Sequence, residues 1–141
     1  MKASALFLRT AVLAVLVGVC LGIGMGLSHD FTLSPVHAHI NLIGWASMFL
    51  FGLYYKVTPA ADTRFAMAHY GFATAGLVLL NAGLTVLLLH GDAPLPGLAW
   101  VAGAACTTVS ALMFAWTVFA STAERREADP SAAASLQKIT G

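Results

Sequence analysis

Five histidines are the residues best equipped for chemistry in this 141-residue chain: His29, His37, His39, His69 and His90. An imidazole offers a nitrogen lone pair to copper, zinc or haem iron. His37 and His39 stand two positions apart, and on a helix that spacing turns them about 200° from each other. The pair therefore does not chelate one ion without distortion. One ring can face a bundle interior while the other faces a neighbouring helix, interfacial water or a second protomer. His37, Asn41, Gly44 or Trp45, and Met48 form a more polar stripe at helical spacing, and His39, Ile43, Ala46 and Leu50 a more apolar one. Asp30 and Asp92 lie close in sequence to His29 and His90 and add carboxylate oxygens.

Other chemistries lack their residues. Cys20 and Cys106 make no CxxC, so zinc-ribbon, thioredoxin and covalent haem-attachment motifs are absent. No Ser-His-Asp set, phosphate loop or carboxylate pair at depth supports hydrolysis or group transfer. Gly22-x-Gly24-x-Gly26 has no preceding strand and is not a nucleotide loop. Lys+Arg is 7 and Asp+Glu is 6, with no basic run, which argues against nucleic acid.

The elements that must position these histidines are set by composition. Hydrophobic residues make up 59% of the chain and charged ones 9%, against roughly 25% charged in a soluble domain; mean hydropathy is +0.83. A bilayer span takes about 20 apolar residues. Four segments qualify, at 9–27, 36–55, 65–89 and 97–120, separated by the turn signals Ser28–Pro35, Thr58–Thr63 and Gly91–Gly97. The first is too long for a signal-peptide core and has no clean cleavage site, so it reads as a retained helix. Connections this short force neighbours to run antiparallel. The expected fold is an all-α integral membrane protein, a four-helix antiparallel bundle over 1–121 with a polar tail at 122–141.

Charge orients the bundle. Lys2, Arg9, Lys56, Arg64, Arg125, Arg126 and Lys138 all fall on one side, and the other side carries only Asp30 and Asp92. The positive-inside rule then makes both termini cytoplasmic, as in a multi-pass protein of a bacterial inner membrane. Tyr54, Tyr55 and Tyr70 are expected in an aromatic belt at the inner interface. His29, His37, His39 and His90 gather at the outer face. His69 lies near the inner face, with Tyr55 or Tyr70 as partners or in the headgroups. His39 and His69 are of order 15 Å apart in depth, too far to share one ion. Gly18, Gly22 and Gly26 make a small-residue packing face, within the protomer or in a dimer. Asn81 is suited to interhelical hydrogen bonding.

The run Ser34-Pro35-Val36-His37-Ala38-His39-Ile40-Asn41-Leu42-Ile43-Gly44-Trp45 resembles the start of the second transmembrane helix in subunit I of haem-copper (cytochrome c) oxidases. There a histidine is an axial ligand of the low-spin haem. The cbb-type and nitric-oxide-reductase pattern P-L-H-T-x-A-x-I-F-G places His37 on the ligand; the mitochondrial-like pattern A-H-A-x-x-M places His39 there. Ser28 to Lys56 also resembles small four-helix bacterial membrane proteins labelled cytochrome-c-oxidase-like. The chain has no W-x-x-x-H-P copper motif and far fewer spans than an oxidase, so the resemblance does not imply oxygen reduction by this chain alone.

Two functional classes follow. The first is a b-type cytochrome-like module for electron transfer, with haem b held by His37 or His39, the second ligand being His90, His29, the other member of the pair or a histidine of another protomer, and Asn41 beside them. Gly22, Gly26, Ala82 and Gly83 are the small residues expected to leave room for the ring. The second is a copper or zinc site drawn from His29, Asp30, His37, His39, His90 and Asp92, or an accessory or assembly protein without haem. Expected partners are lipid, a second copy and a respiratory membrane complex.

Overall fold

The computed structural model describes residues 2–91 and 94–127, with side chains to Ala123. Asp92 and most of the expected tail lie outside the described residues. Four helices are long and apolar enough to cross a membrane: α1 (Ala3–Ser28), α2 (Ser34–Val57), α3 (Arg64–His90) and α4 (Pro94–Glu127). No strand occurs among the described residues. A short 3₁₀ turn, Pro59–Ala61, joins α2 to α3.

Each helix overruns its apolar segment, because caps rather than hydropathy set the ends. α1 begins at Ala3 because Asp62 reaches across to its first turn. Asp62 accepts from the Ala3 N–H at 3.0 Å, the Ser4 N–H at 3.4 Å and the Ser4 hydroxyl at 2.7 Å. A carboxylate at a helix start satisfies orphan donors and opposes the positive end of the dipole. α1 ends where His29 takes a left-handed conformation, φ 55°. Pro35 sits in the first turn of α2, as anticipated, and Pro94 and Pro96 let α4 start earlier than 97. Thr63 caps α3 by accepting the Phe65 N–H at 3.2 Å, and Gly91 closes it at φ 80°.

The helices associate as two close-packed antiparallel pairs, α1 with α2 and α3 with α4. Small residues make both seams. A Cβ at Gly18 would stand 2.6 Å from Asn41 Oδ1, and one at Gly22 would stand 2.9 Å from the His37 ring. Gly52 receives Leu8 and Phe7. On the other pair, a Cβ at Gly76 would meet the Thr107 backbone nitrogen at 2.9 Å, and one at Gly83 the Trp100 nitrogen at 2.5 Å. The backbone-to-backbone approach at Gly76 and Gly83 is how apolar helices gain packing energy where lipid offers no hydrophobic drive.

The pairs meet most intimately at the end that holds the 58–63 turn. Phe7, Met48, Tyr55, Ala66 and Ala73 are buried there together. Asp62 on Ala3 and a Tyr54–Ser121 hydroxyl contact bring the start of α1 and the last turns of α4 to this same end. Lys2, Arg9, Lys56 and Arg64 lie on these elements; we call it the basic end and the opposite one the histidine end.

The middle of α2, Ile40–Ser47, is wound as a π-helix. Asn41 Nδ2 donates to the His37 carbonyl at 2.8 Å, taking an acceptor that an α-helix reserves for the Asn41 N–H. Ser47 Oγ donates to the Leu42 carbonyl five residues back, at 2.8 Å. A π segment has more residues per turn than an α-helix and often marks a functional site. The winding keeps Gly44 and Met48 buried and turns Trp45 outward at 45% exposure.

Candidate functional site

At the histidine end, α1 and α2 place the rings differently. His37 points into the α1 seam. Its Nδ1 lies 3.0 Å from the Gly18 carbonyl, and its ring fills the notch left by Gly22. Since a carbonyl only accepts, Nδ1 carries the proton and donates. Nε2 is then the acceptor of the ring, and the Asn41 amide nitrogen lies 3.4 Å away as a weak donor to it. His39 is partly exposed, and its hydrogen bond lies within its own helix. Its Nδ1 donates to the Pro35 carbonyl, 2.7 Å away, so its Nε2 also keeps a lone pair.

The remaining candidates of the histidine end form no cluster with them among the described residues. His29 and His90 are exposed at the ends of α1 and α3. Asp30 folds onto its own loop, where Oδ1 accepts the Thr32 hydroxyl at 2.6 Å and the Thr32 N–H at 2.9 Å. Those two bonds hold its carboxyl below the usual carboxylate range, the hydroxyl contributing most. Among the described residues no three His, Cys, Asp or Glu side chains come together as a metal-ion site.

The room expected for a haem is taken up within the chain. Gly22 is filled by His37 and Gly83 by the α4 backbone, while Gly26 and Ala82 face outward. The groove between the helix pairs near His37, bordered by Ala14, Val17, Ile40, Leu77 and Asn81, measures about 260 Å³. It is apolar, and neither His37 nor His39 lines it. The donors suit a haem iron; the small residues expected to leave room for the macrocycle do not provide it. Asn81 also differs from expectation. Its Nδ2 donates to the Leu77 carbonyl of its own helix at 2.8 Å, and its buried Oδ1 has no partner.

The most enclosed polar group is elsewhere. His69 is fully buried rather than in the headgroups. Its Nδ1 is 2.9 Å from the Tyr55 hydroxyl and its Nε2 2.9 Å from the Ser110 hydroxyl. The Tyr55 hydroxyl also lies 3.4 Å from Thr117 Oγ1. Phe7, Phe51 and Phe114 pack around the ring with centroids 4.8–6.0 Å away. One neutral imidazole can accept at one nitrogen and donate at the other, so both hydroxyls are served. The set ties α2, α3 and α4 together with no atom left for a ligand. Tyr55, one of the two partners anticipated for His69, is the one it meets, and the Tyr70 hydroxyl lies 2.9 Å from Thr10 Oγ1.

Sequence reasoning missed Ser110 and Thr117 as partners. Their separation of seven residues, one helical face, was the available signal. No known protein family, curated protein or solved structure matches this chain.

Proposed function

We propose that this chain is a multi-pass protein of a bacterial inner membrane that offers histidine ligands at its outer face to a metal centre completed by a second chain. Haem b is the favoured centre; copper or zinc is the alternative, since the same imidazoles suit those ions. The observation that carries the reading is the engagement of both Nδ1 atoms on main-chain carbonyls, His37 on Gly18 and His39 on Pro35. A ring held in this way is oriented and fixed in the tautomer that presents Nε2, which is the arrangement metal-ligating histidines adopt.

His39 is the better placed ligand, because it is partly exposed and can reach a group lying against α2. His37 is held by Gly18, Gly22 and Asn41, and it stiffens the segment that carries His39. A bound haem would supply one-electron transfer at its iron; the chain's part is to supply the imidazole and fix its direction. The second ligand comes from a second copy or from a respiratory subunit, since the described histidines form no cluster. The charge asymmetry supports placing the histidine end outside.

The test is an absorption spectrum of the purified protein, oxidised and then dithionite-reduced, with metal analysis of the same sample. A Soret band with sharp reduced α and β bands is expected, lost in His39→Ala. Stoichiometric copper or zinc without colour would select the alternative. A colourless, metal-free protein from a haem-replete host would overturn both and leave an accessory subunit.

A further inference from the structure

At the opposite end of the bundle, the first turns of α1 and the last turn of α2 border a cavity of about 590 Å³. That volume falls within the roughly 300–1,000 Å³ usual for small-molecule sites. Among the described residues, Lys2, Arg9 and Lys56 all line it, and the carboxylate on its wall is that of Asp62. Both Asp62 oxygens are already engaged at the start of α1, on the Ala3 and Ser4 N–H groups and the Ser4 hydroxyl. Three cations thus face one carboxylate whose hydrogen-bonding capacity is largely spent. Leu8 and Ala5 form an apolar wall on α1, the helix that continues toward the bundle centre.

We infer that this cavity binds the headgroup of an anionic phospholipid, with the phosphate between Arg9, Lys56 and Lys2 and the acyl chains running up α1 past Leu8. The guanidinium supplies a planar fork matched to phosphate oxygens, and the two ammonium groups supply mobile point charges. A free phosphate would use the same cations. The lipid is favoured because the cavity opens beside a helix long and apolar enough to cross a bilayer, and its wall there is apolar. The inference is independent of the histidine end and of any metal centre.

The experiment places the full chain in nanodiscs of phosphatidylcholine doped with a little fluorescent phosphatidylglycerol or fluorescent phosphatidylcholine, and reads energy transfer from the protein's tryptophans. Enrichment of phosphatidylglycerol over phosphatidylcholine is expected. Each juxtamembrane cation contributes roughly fivefold, so the Arg9→Gln/Lys56→Gln double variant should lose most of it. Arg64→Gln removes a cation from the same end that does not line the cavity, and should keep it. All variants are checked for unchanged helicity. Equal transfer from both lipids would overturn the inference, and so would an equal loss in Arg64→Gln. Displacement of the labelled phosphatidylglycerol by millimolar inorganic phosphate, at constant ionic strength, would overturn the lipid as the source of the phosphate.

Discussion

The two ends of this bundle handle the same residue type in opposite ways. At the basic end His69 is fully buried, both ring nitrogens are engaged by hydroxyls, and aromatic rings surround it. At the histidine end His37 and His39 each engage only Nδ1 firmly, and His29 and His90 are exposed. A histidine whose whole hydrogen-bonding capacity is met by the protein contributes to the fold. A histidine that is oriented but keeps a lone pair is available to something else. Polarity at depth alone would rank His69 first as a functional candidate, and its partners argue otherwise.

The contrast yields tests of descending size. His69→Ala should be the most damaging, because it leaves a cavity among Phe7, Phe51 and Phe114 and strips partners from Tyr55 and Ser110. A loss of roughly 3–5 kcal/mol is expected in detergent unfolding, the range for deleting a large buried ring. Gly83→Leu should follow, at about 1–3 kcal/mol, since the Cβ alone would meet the α4 backbone. Its measurement is the same unfolding curve. Tyr55→Phe removes one hydroxyl and should cost about 1 kcal/mol, modest because hydrogen bonds between membrane helices are individually weak. If it matched His69→Ala, the polar bonds rather than ring packing would hold this end together.

His39→Ala should change unfolding by less than about 0.5 kcal/mol, as for a surface position, while abolishing bound metal or haem. A large stability loss with no change in metal content would erase the distinction between the two ends. His37→Ala should lie between the two. It empties the Gly22 notch and frees the Gly18 carbonyl, so a measurable but smaller destabilisation accompanies any loss of the centre.

Much of the architecture could be read without coordinates. Apolar runs of span length, broken by Ser-His-Asp, Thr-Pro and Gly-Asp turns, leave a chain few options. The positions of Pro35 and Gly91 mark helix ends for local reasons, proline's missing N–H and glycine's tolerance of positive φ, whereas Pro94, read as part of the Gly91–Gly97 turn, opens the last helix. Helix starts were less legible when the cap came from afar. Asp62 fixes the start of α1 from about 60 residues away, at a separation of 59 to Ala3, and no local pattern announces it. The glycines on α1 were recognised as a packing face, yet what they pack against emerged only from the fold. Gly18 and Gly22 accept the side chains of Asn41 and His37 rather than another helix backbone. The room provisionally assigned to a haem ring was lost for the same reason.

The sequence by itself determined that the chain is four long helices with antiparallel neighbours, and that His29, His37, His39 and His90 stand at the end opposite Lys2, Arg9, Lys56 and Arg64. That follows because backbone groups in an apolar setting must be satisfied within each segment, and short turns reverse direction. It also placed His37 and His39 on opposed directions, which needs only 3.6 residues per turn. Only the tertiary structure decided what each ring touches. His69 belongs to a closed network because Ser110 and Thr117 arrive from a helix some 40 residues on, with His69 and Ser110 separated by 41. His37 is drawn into the α1 seam because Gly18 and Gly22 leave a notch there, and the Asn41 side chain takes its carbonyl where the π winding begins. The His69 network and the seating of His37 on α1 depend on contacts between segments distant in the chain, which no local pattern specifies; the Asn41 bond, four residues away on the same helix, is local.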